Sequence, residues 1–325
     1  MRAVSIYVHI PFCARRCPYC DFHSCVAGEP DIGREIGATV EAIRAEARRD
    51  VRVETIYIGG GTPSFVASHY IADILRAIRE SFDVAEGAEV SIEVNPNSID
   101  EEKLRAYKEA GVNRVSIGVQ SFSNRGLRVL GRLHNVAEAK RAIRLAVGVF
   151  DNVSIDLIHS VPGVRVVLPR RYLKKVQHVS AYSLTLHEGS ERGGLWARVD
   201  EGWSIREQGR IERALRRCGI YKYEVSNFAR PGFECRHNLV YWRCGEWLGF
   251  GTGAVGHFDE PWTDDDRVML GLRLVEGVAR GLLNGREREL AELEGLGLIE
   301  VTDERVRCTE KGFLLLNQVI LRLTR

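Results

Sequence analysis

Three cysteines, Cys13, Cys17 and Cys20, stand close together near the start of the chain in the spacing C-x3-C-x2-C. A short β-branched run leads into them, and Pro11 and Pro18 exclude regular structure between, so the segment reads as a loop. Three thiolates are odd for disulfides and one short of a closed four-ligand site. A cubane iron–sulfur cluster held by three cysteines leaves one iron open to a small molecule. Two plainer readings stand beside it: a disulfide with a spare thiol, or a structural zinc site completed by His9 or His23. The start of the chain lacks a basic, apolar, small-residue leader and the chain lacks the cysteine density of secreted domains, which argues against disulfides. Structural zinc sites usually pair two C-x2-C-like halves, and Cys218, Cys235, Cys244 and Cys308 supply no second half. Phe12, Pro18, Tyr19 and Phe22 would give a redox cluster a dry shell.

Other polar motifs recur at the ends of apolar runs: Gly59 to Thr62, Glu93, Gln120 and Asp156. The elements that carry them alternate. Residues 34–49 place Ile36, Val40, Ile43 and Ala47 on one helical face; residues 55–58 read as a buried strand, 68–82 as a helix and 89–94 as a strand. Asp100 caps a helix that Gly111 stops. Strand 114–119, helix 135–147, strand 153–158, a short helix near 169–176, strand 179–184, helix 205–217 and strand 221–226 follow. No internal repeat is evident. Strands separated by helices imply parallel crossovers, and chemistry gathered at strand ends implies a barrel mouth or a switch-point crevice. From Thr263 the pattern changes to two amphipathic helices, the first after Asp264 to Asp266 and the second through Leu290 and Leu293, then short strands around Ile299 and Val306. Domains 1–262 and 263–325 are expected.

The chain has 325 residues, 46 Lys and Arg against 44 Asp and Glu, and 45% hydrophobic residues. That balance argues against a nucleic-acid partner or a polybasic membrane anchor, and no apolar run is long enough to span a bilayer. A soluble, reducing, cytoplasmic setting is the expectation.

Tyr7-Val8-His9-Ile10-Pro11-Phe12-Cys13 together with Cys17-Pro18-Tyr19-Cys20-Asp21-Phe22 resembles the radical S-adenosylmethionine (SAM) superfamily, in the branch of the oxygen-independent coproporphyrinogen III oxidases and HemW-type heme chaperones. The resemblance implies a partial (β/α)6 barrel with a small winged-helix-like α+β appendage. It implies a [4Fe-4S] cluster on Cys13, Cys17 and Cys20, with SAM chelating the open iron. Carried over residue by residue, Gly60, Gly61 and Thr62 approach SAM's amino group through the backbone and Glu93 meets its ribose hydroxyls. Gln120 and Asp156 lie at the mouth, Arg132 pairs with the SAM carboxylate, and Tyr7 contacts SAM. The segment Cys235-Arg236-His237-Asn238-Leu239-Val240-Tyr241-Trp242, beside glycine-rich residues 249–254, resembles the place where heme is thought to bind in HemW-like proteins. His237 suits an axial iron ligand; a buried structural role for it stays equally open.

Oxidases of this branch usually carry a fourth cysteine, C-x3-C-x2-C-x-C, and Phe22 occupies that place. The oxidases' longer N-terminal region is also missing. Both differences favour a protein that binds heme and hands it to an acceptor over one that decarboxylates two propionates to vinyl groups. The segment after Gly163 and the one near Trp262 are shorter than the family pattern. An inert scaffold is a third reading, against which stands the joint presence of Cys13, Cys17, Cys20, Glu93, Gln120, Arg132 and Asp156. Expected partners are heme or a porphyrinogen, a heme-acceptor protein and an electron donor, with the chain a monomer or homodimer.

Overall fold

The computed structural model describes residues 1–185 and 201–324. Six parallel strands form its centre in sequential order: β1 (Arg2–Ile10), β2 (Arg48–Gly60), β3 (Phe82–Val94), β4 (Arg114–Gln120), β5 (Asn152–His159) and β6 (His178–Ser183). The crossovers are α1 (Glu29–Ala45), α2 (Ser68–Ser81), α3 (Glu101–Glu109), the pair α4 (Asn124–Val129) and α5 (Val136–Val149), and α6 (Arg170–Leu173). Beyond β6 come α7 (Glu201–Arg216) and two short strands, β7 (Tyr221–Lys222) and β8 (Asn227–Ala229); then follow α8 (Arg236–Trp242) and β9 (Trp247–Phe250). Strand β9 lies parallel on the free edge of β1, and β8 and β7 extend the β6 side antiparallel. Among the described residues nothing pairs β7 with β9, so the sheet is a partial barrel of the expected kind.

The strands obey a period of two. Ile6 and Val8, Ile56 and Ile58, Val90 and Ile92, Val115 and Ile117, and Val153 and Ile155 are all almost wholly buried in one cluster with helix residues Ile71, Ile74, Leu104 and Ile143. The alternate positions are polar: Ser5 and Tyr7, Thr55 and Tyr57, Ser91 and Glu93, Arg114 and Ser116, Ser154 and Asp156, His178 and Ser180. Val-Ser-Ile recurs in β1, β3, β4 and β5 and Val-Ser-Ala in β6, a strand-level repeat that the sequence reading passed over. Register puts Tyr57 beside Ser91 and Ser91 beside Arg114, while Glu93 pairs with Ser116 and Ser116 with Ser154.

Local signals set the ends. The Asp100 carboxylate accepts the Lys103 N–H at 2.8 Å, and Asn135 and Glu138 form a capping box. The expected strand 221–226 is instead a hairpin, because Glu224 turns its carboxylate inward to accept the Ser226 N–H at 3.1 Å. Asp264 to Asp266 form the first turn of their helix rather than preceding it. The glycine-rich stretch contains β9, in which Gly249 runs so close to residue 255 that a Cβ would lie 2.6 Å from the Val255 carbonyl oxygen.

The C-terminal part holds α9 (Asp264–Gly271), β10 (Val278–Ala279), α10 (Glu287–Gly295), β11 (Ile299–Val301), β12 (Arg305–Cys308), α11 (Glu310–Leu314) and α12 (Leu316–Leu323). Its three strands pair antiparallel in the order β10-β12-β11, with a buried cluster of their own that includes Leu272, Leu293, Val306 and Val319. A boundary between residues 262 and 263 is a proposal resting on that separate core. No described helix is long and apolar enough to cross a membrane.

Ile117→Ala, which empties a sealed position between sheet and helices, should lower the unfolding free energy by about 2–5 kcal/mol, and Asn135→Ala by about 1 kcal/mol. Urea titration of both variants checks this. An Ile117→Ala midpoint equal to wild type would contradict the layer assignment.

Candidate functional site

Two adjoining cavities of about 310 Å³ each open at the carboxyl ends of the strands. Cys13, Cys17 and Cys20 line the first, with Tyr19, Asn95 and Arg132. Gly60, Gly61, Thr62, Glu93, Gln120, Arg132 and Asp156 line the second, which Cys20 also touches. The structure therefore brings together the cysteines and seven of the eight residues assigned to SAM. Tyr7 does not line either cavity; it lies beneath them, its hydroxyl 3.0 Å from His9 Nδ1 and its ring stacked on Tyr57 at 6.4 Å between centroids.

The cysteine loop is folded back by hydrogen bonds rather than by regular structure. Cys13 N–H donates to the Cys25 carbonyl at 2.9 Å, Cys25 N–H to the Pro11 carbonyl at 2.7 Å, and Cys20 N–H to the Cys17 carbonyl at 3.0 Å. All eight thiols are free. Cys13 Sγ lies 3.3 Å from Thr62 Oγ1, and Arg132 Nη1 points at Cys17 Sγ at 3.6 Å. Burial pushes the Cys20 thiol up. Among the described residues no three His, Cys, Asp or Glu side chains converge on one ion-sized point. A cubane asks for less convergence than a single ion does, since each thiolate takes its own iron corner. Three thiols on one cavity wall, with a guanidinium aimed at one of them, fit such a cluster. Cys25 is exposed and lies outside both cavity walls.

The glycine turn after β2 is shaped by close approach. At Gly61 a Cβ would stand 2.8 Å from the Phe12 carbonyl oxygen and 3.1 Å from Cys13 Sγ, and Gly60 has φ +113°. Gln120, at the end of β4, has φ +60°, left-handed backbone that costs a non-glycine residue of order 1–3 kcal/mol. Arg132 is fixed by the Asn95 side chain and by the Gly118 carbonyl at 3.2 Å. Asn95 in turn donates to Thr62 Oγ1 at 2.9 Å.

Below this rim lie two carboxylates. Glu93 accepts from the Tyr57 hydroxyl at 2.8 Å and the Gly60 N–H at 3.2 Å. Burial and then the neighbouring Asp156 charge raise it to about 7, against the pull of those two donors. Asp156 accepts from Ser116 Oγ at 3.0 Å and is also raised, chiefly by burial.

His237 sits deeper still, on α8, wholly buried. Its Nδ1 is 2.7 Å from Thr55 Oγ1 and its Nε2 2.7 Å from the Tyr241 hydroxyl. Burial, helped by Arg114, lowers it to about 3, so the ring is neutral. Both nitrogens are engaged; ligation of an iron requires the imidazole to leave Thr55 or Tyr241. The partners are side-chain hydroxyls rather than backbone. Sequence reasoning missed Tyr57, Asn95, Arg114, Ser116 and Ser180, and the alternation of polar with β-branched residues was the signal that could have found them.

Cys17→Ala should lose the iron taken up on anaerobic reconstitution, whereas Cys25→Ala should keep it. Equal iron content in the two variants would contradict the assignment of the loop.

Residues 7–166 match the Radical SAM superfamily. The chain is 36% identical to the heme chaperone HemW of Escherichia coli over 93% of its own length and 80% of that protein. It is 35% identical to HemW of Mycobacterium tuberculosis H37Rv, covering 98% of this chain and 94% of the relative. Among solved structures, coproporphyrinogen III oxidase (HemN) from Escherichia coli, a radical SAM enzyme, superposes with a TM-score of 0.83 at 20% identity, over 99% of this chain and 90% of that one, a likeness of fold. With its barrel, its cysteine loop and these relatives, the chain belongs to the radical SAM superfamily and, within it, to the family of the HemW heme chaperones.

Proposed function

We propose that this protein binds heme and passes it to an acceptor protein, with a [4Fe-4S] cluster on Cys13, Cys17 and Cys20 and SAM as resident cofactors. The observation that carries the reading is the identity of 35–36% to HemW heme chaperones over nearly the whole chain. Phe22, in the place of the oxidases' fourth cysteine, supports it. Family membership implies the cluster and SAM; such a cluster, when bound, can supply one electron to the SAM sulfonium. This chain's residues would do the rest. Arg132 offers its fork to a carboxylate, the backbone at Gly60 and Gly61 allows a close approach, and Glu93 and Asp156 accept from hydroxyls. His237 would serve heme only after releasing its hydroxyl partners. A cytoplasmic site of action belongs to the same proposal.

The charge state of Glu93 gives a pH dependence. With its folded value raised to about 7, the group's contribution to stability is complete below its unfolded value and is lost as pH rises through about 7. Ligand hydroxyls are held more strongly by the ionised acceptor, so SAM affinity should increase by roughly threefold to tenfold from about pH 6 to pH 8. Glu93→Gln should flatten that profile. A wild-type affinity that falls over this range would contradict the role given to Glu93.

Function is tested by heme transfer from the loaded protein to an apo-acceptor, followed by its Soret band, alongside anaerobic incubation with coproporphyrinogen III, SAM and reductant. Transfer without decarboxylated product is expected. Catalytic yield of the divinyl product would replace the chaperone reading with the oxidase one.

A further inference from the structure

The barrel interior has a floor that the cofactor residues do not use. Arg114, the first residue of β4, lines the second cavity and is 2% exposed. Register sets it beside Ser91, one inward step below Glu93 and Ser116. Its Nη1 reaches Ser91 Oγ only at 3.4 Å, and its Nε has no acceptor at all. Among the described residues no carboxylate oxygen lies within the 4.0 Å of an ion pair with it.

The acids around it are already served by other donors. Glu89 accepts from the backbone N–H groups of Arg236 at 3.1 Å and His237 at 3.2 Å, at the start of α8, and from the Cys235 thiol. Glu93 is held by Tyr57 and Gly60, and Asp156 by Ser116. The guanidinium is thus a buried charge with donors to spare. Such a group is unfavourable until an acceptor arrives, and its planar fork matches a carboxylate. Asn238 lines the same cavity and can add an amide donor, while the Ser180 hydroxyl is already taken by Asp156. At the mouth, Phe22 is 56% and Tyr182 43% exposed, offering apolar faces to a flat ring outside.

We propose that the cavity floor at Arg114 is a subsite for a carboxylate, and that it receives one carboxylate arm of a macrocycle whose ring rests against Phe22 and Tyr182. The proposal rests on the heme-binding reading above. Glu93, one inward step nearer the mouth, and Asp156, two steps nearer, repel an anion that stops short, so the carboxylate is held at one depth. A neutral arm gains nothing there.

The test compares hemin with hemin dimethyl ester, in which both carboxylates are masked, by anaerobic Soret titration of the full chain. Wild type is expected to bind hemin about tenfold more tightly than the ester. Arg114→Met should lose that preference by weakening hemin alone, and Arg114→Lys should restore part of it. Equal wild-type affinities for the two ligands, or a preference that survives in Arg114→Met, would overturn the subsite. A loss of SAM affinity in Arg114→Met as large as the loss for hemin would give Arg114 to SAM and overturn it too. Binding of neither macrocycle would bring down the heme reading itself. If Arg114→Met fails to fold, the wild-type comparison and Arg114→Lys still decide.

Discussion

A β-strand can show only one of its two faces to the helices, and in this protein the other face is almost entirely polar. Open parallel sheets covered by helices on both sides carry apolar residues on both. Here Ile56, Ile92, Ile117 and Ile155 seal the outer side, so Tyr57, Glu93, Ser116 and Asp156 must share an enclosed space. That space has to satisfy their hydrogen bonds from within or through ligands. The interior accordingly consists of short polar chains: Tyr57 to Glu93, Ser116 to Asp156, Ser154 through His178 to Tyr223, and Thr55 through His237 to Tyr241.

The chains end at different depths, and the depth decides the chemistry. At the rim, loops supply the thiols, a glycine turn and the anchored Arg132. In the middle, two carboxylates raised by burial stand among hydroxyl donors. At the bottom, neutral His237 and the N-terminus of α8 close the chamber around Glu89. A protein that must hold a cofactor while handling a second, larger ligand gains from this layering, because the two can be recognised by different rings of residues.

Much of this was legible in the sequence, for a physical reason. C-x3-C-x2-C in a proline-bounded loop, Gly59 to Thr62 after a strand, and Glu93 and Gln120 at strand ends are all local patterns, and strand ends converge in any parallel barrel; Asp156, expected at a strand end, lies within β5. Tyr7 shows the limit: it stands near the cysteines in sequence, yet the strand points its ring below the cavity. Arg114 and Tyr57 escaped because they sit at strand beginnings and middles, where only inward parity marks them. For His237 the motif left ligation and a structural role equally open; Tyr241, one helical turn on, engages one ring nitrogen locally, but that Thr55 engages the other is a tertiary fact. Strand 221–226 broke because the inward turn of Glu224 overrode local propensity.

The central claim is that three thiolates at the barrel mouth hold a cluster with one iron open toward the cavity of Glu93, Gln120, Arg132 and Asp156. The most direct measurement is the electron paramagnetic resonance spectrum of the reduced, reconstituted protein with and without saturating SAM. The account predicts a [4Fe-4S]+ signal whose g values shift on addition of SAM. A cluster signal that SAM leaves unchanged would contradict it.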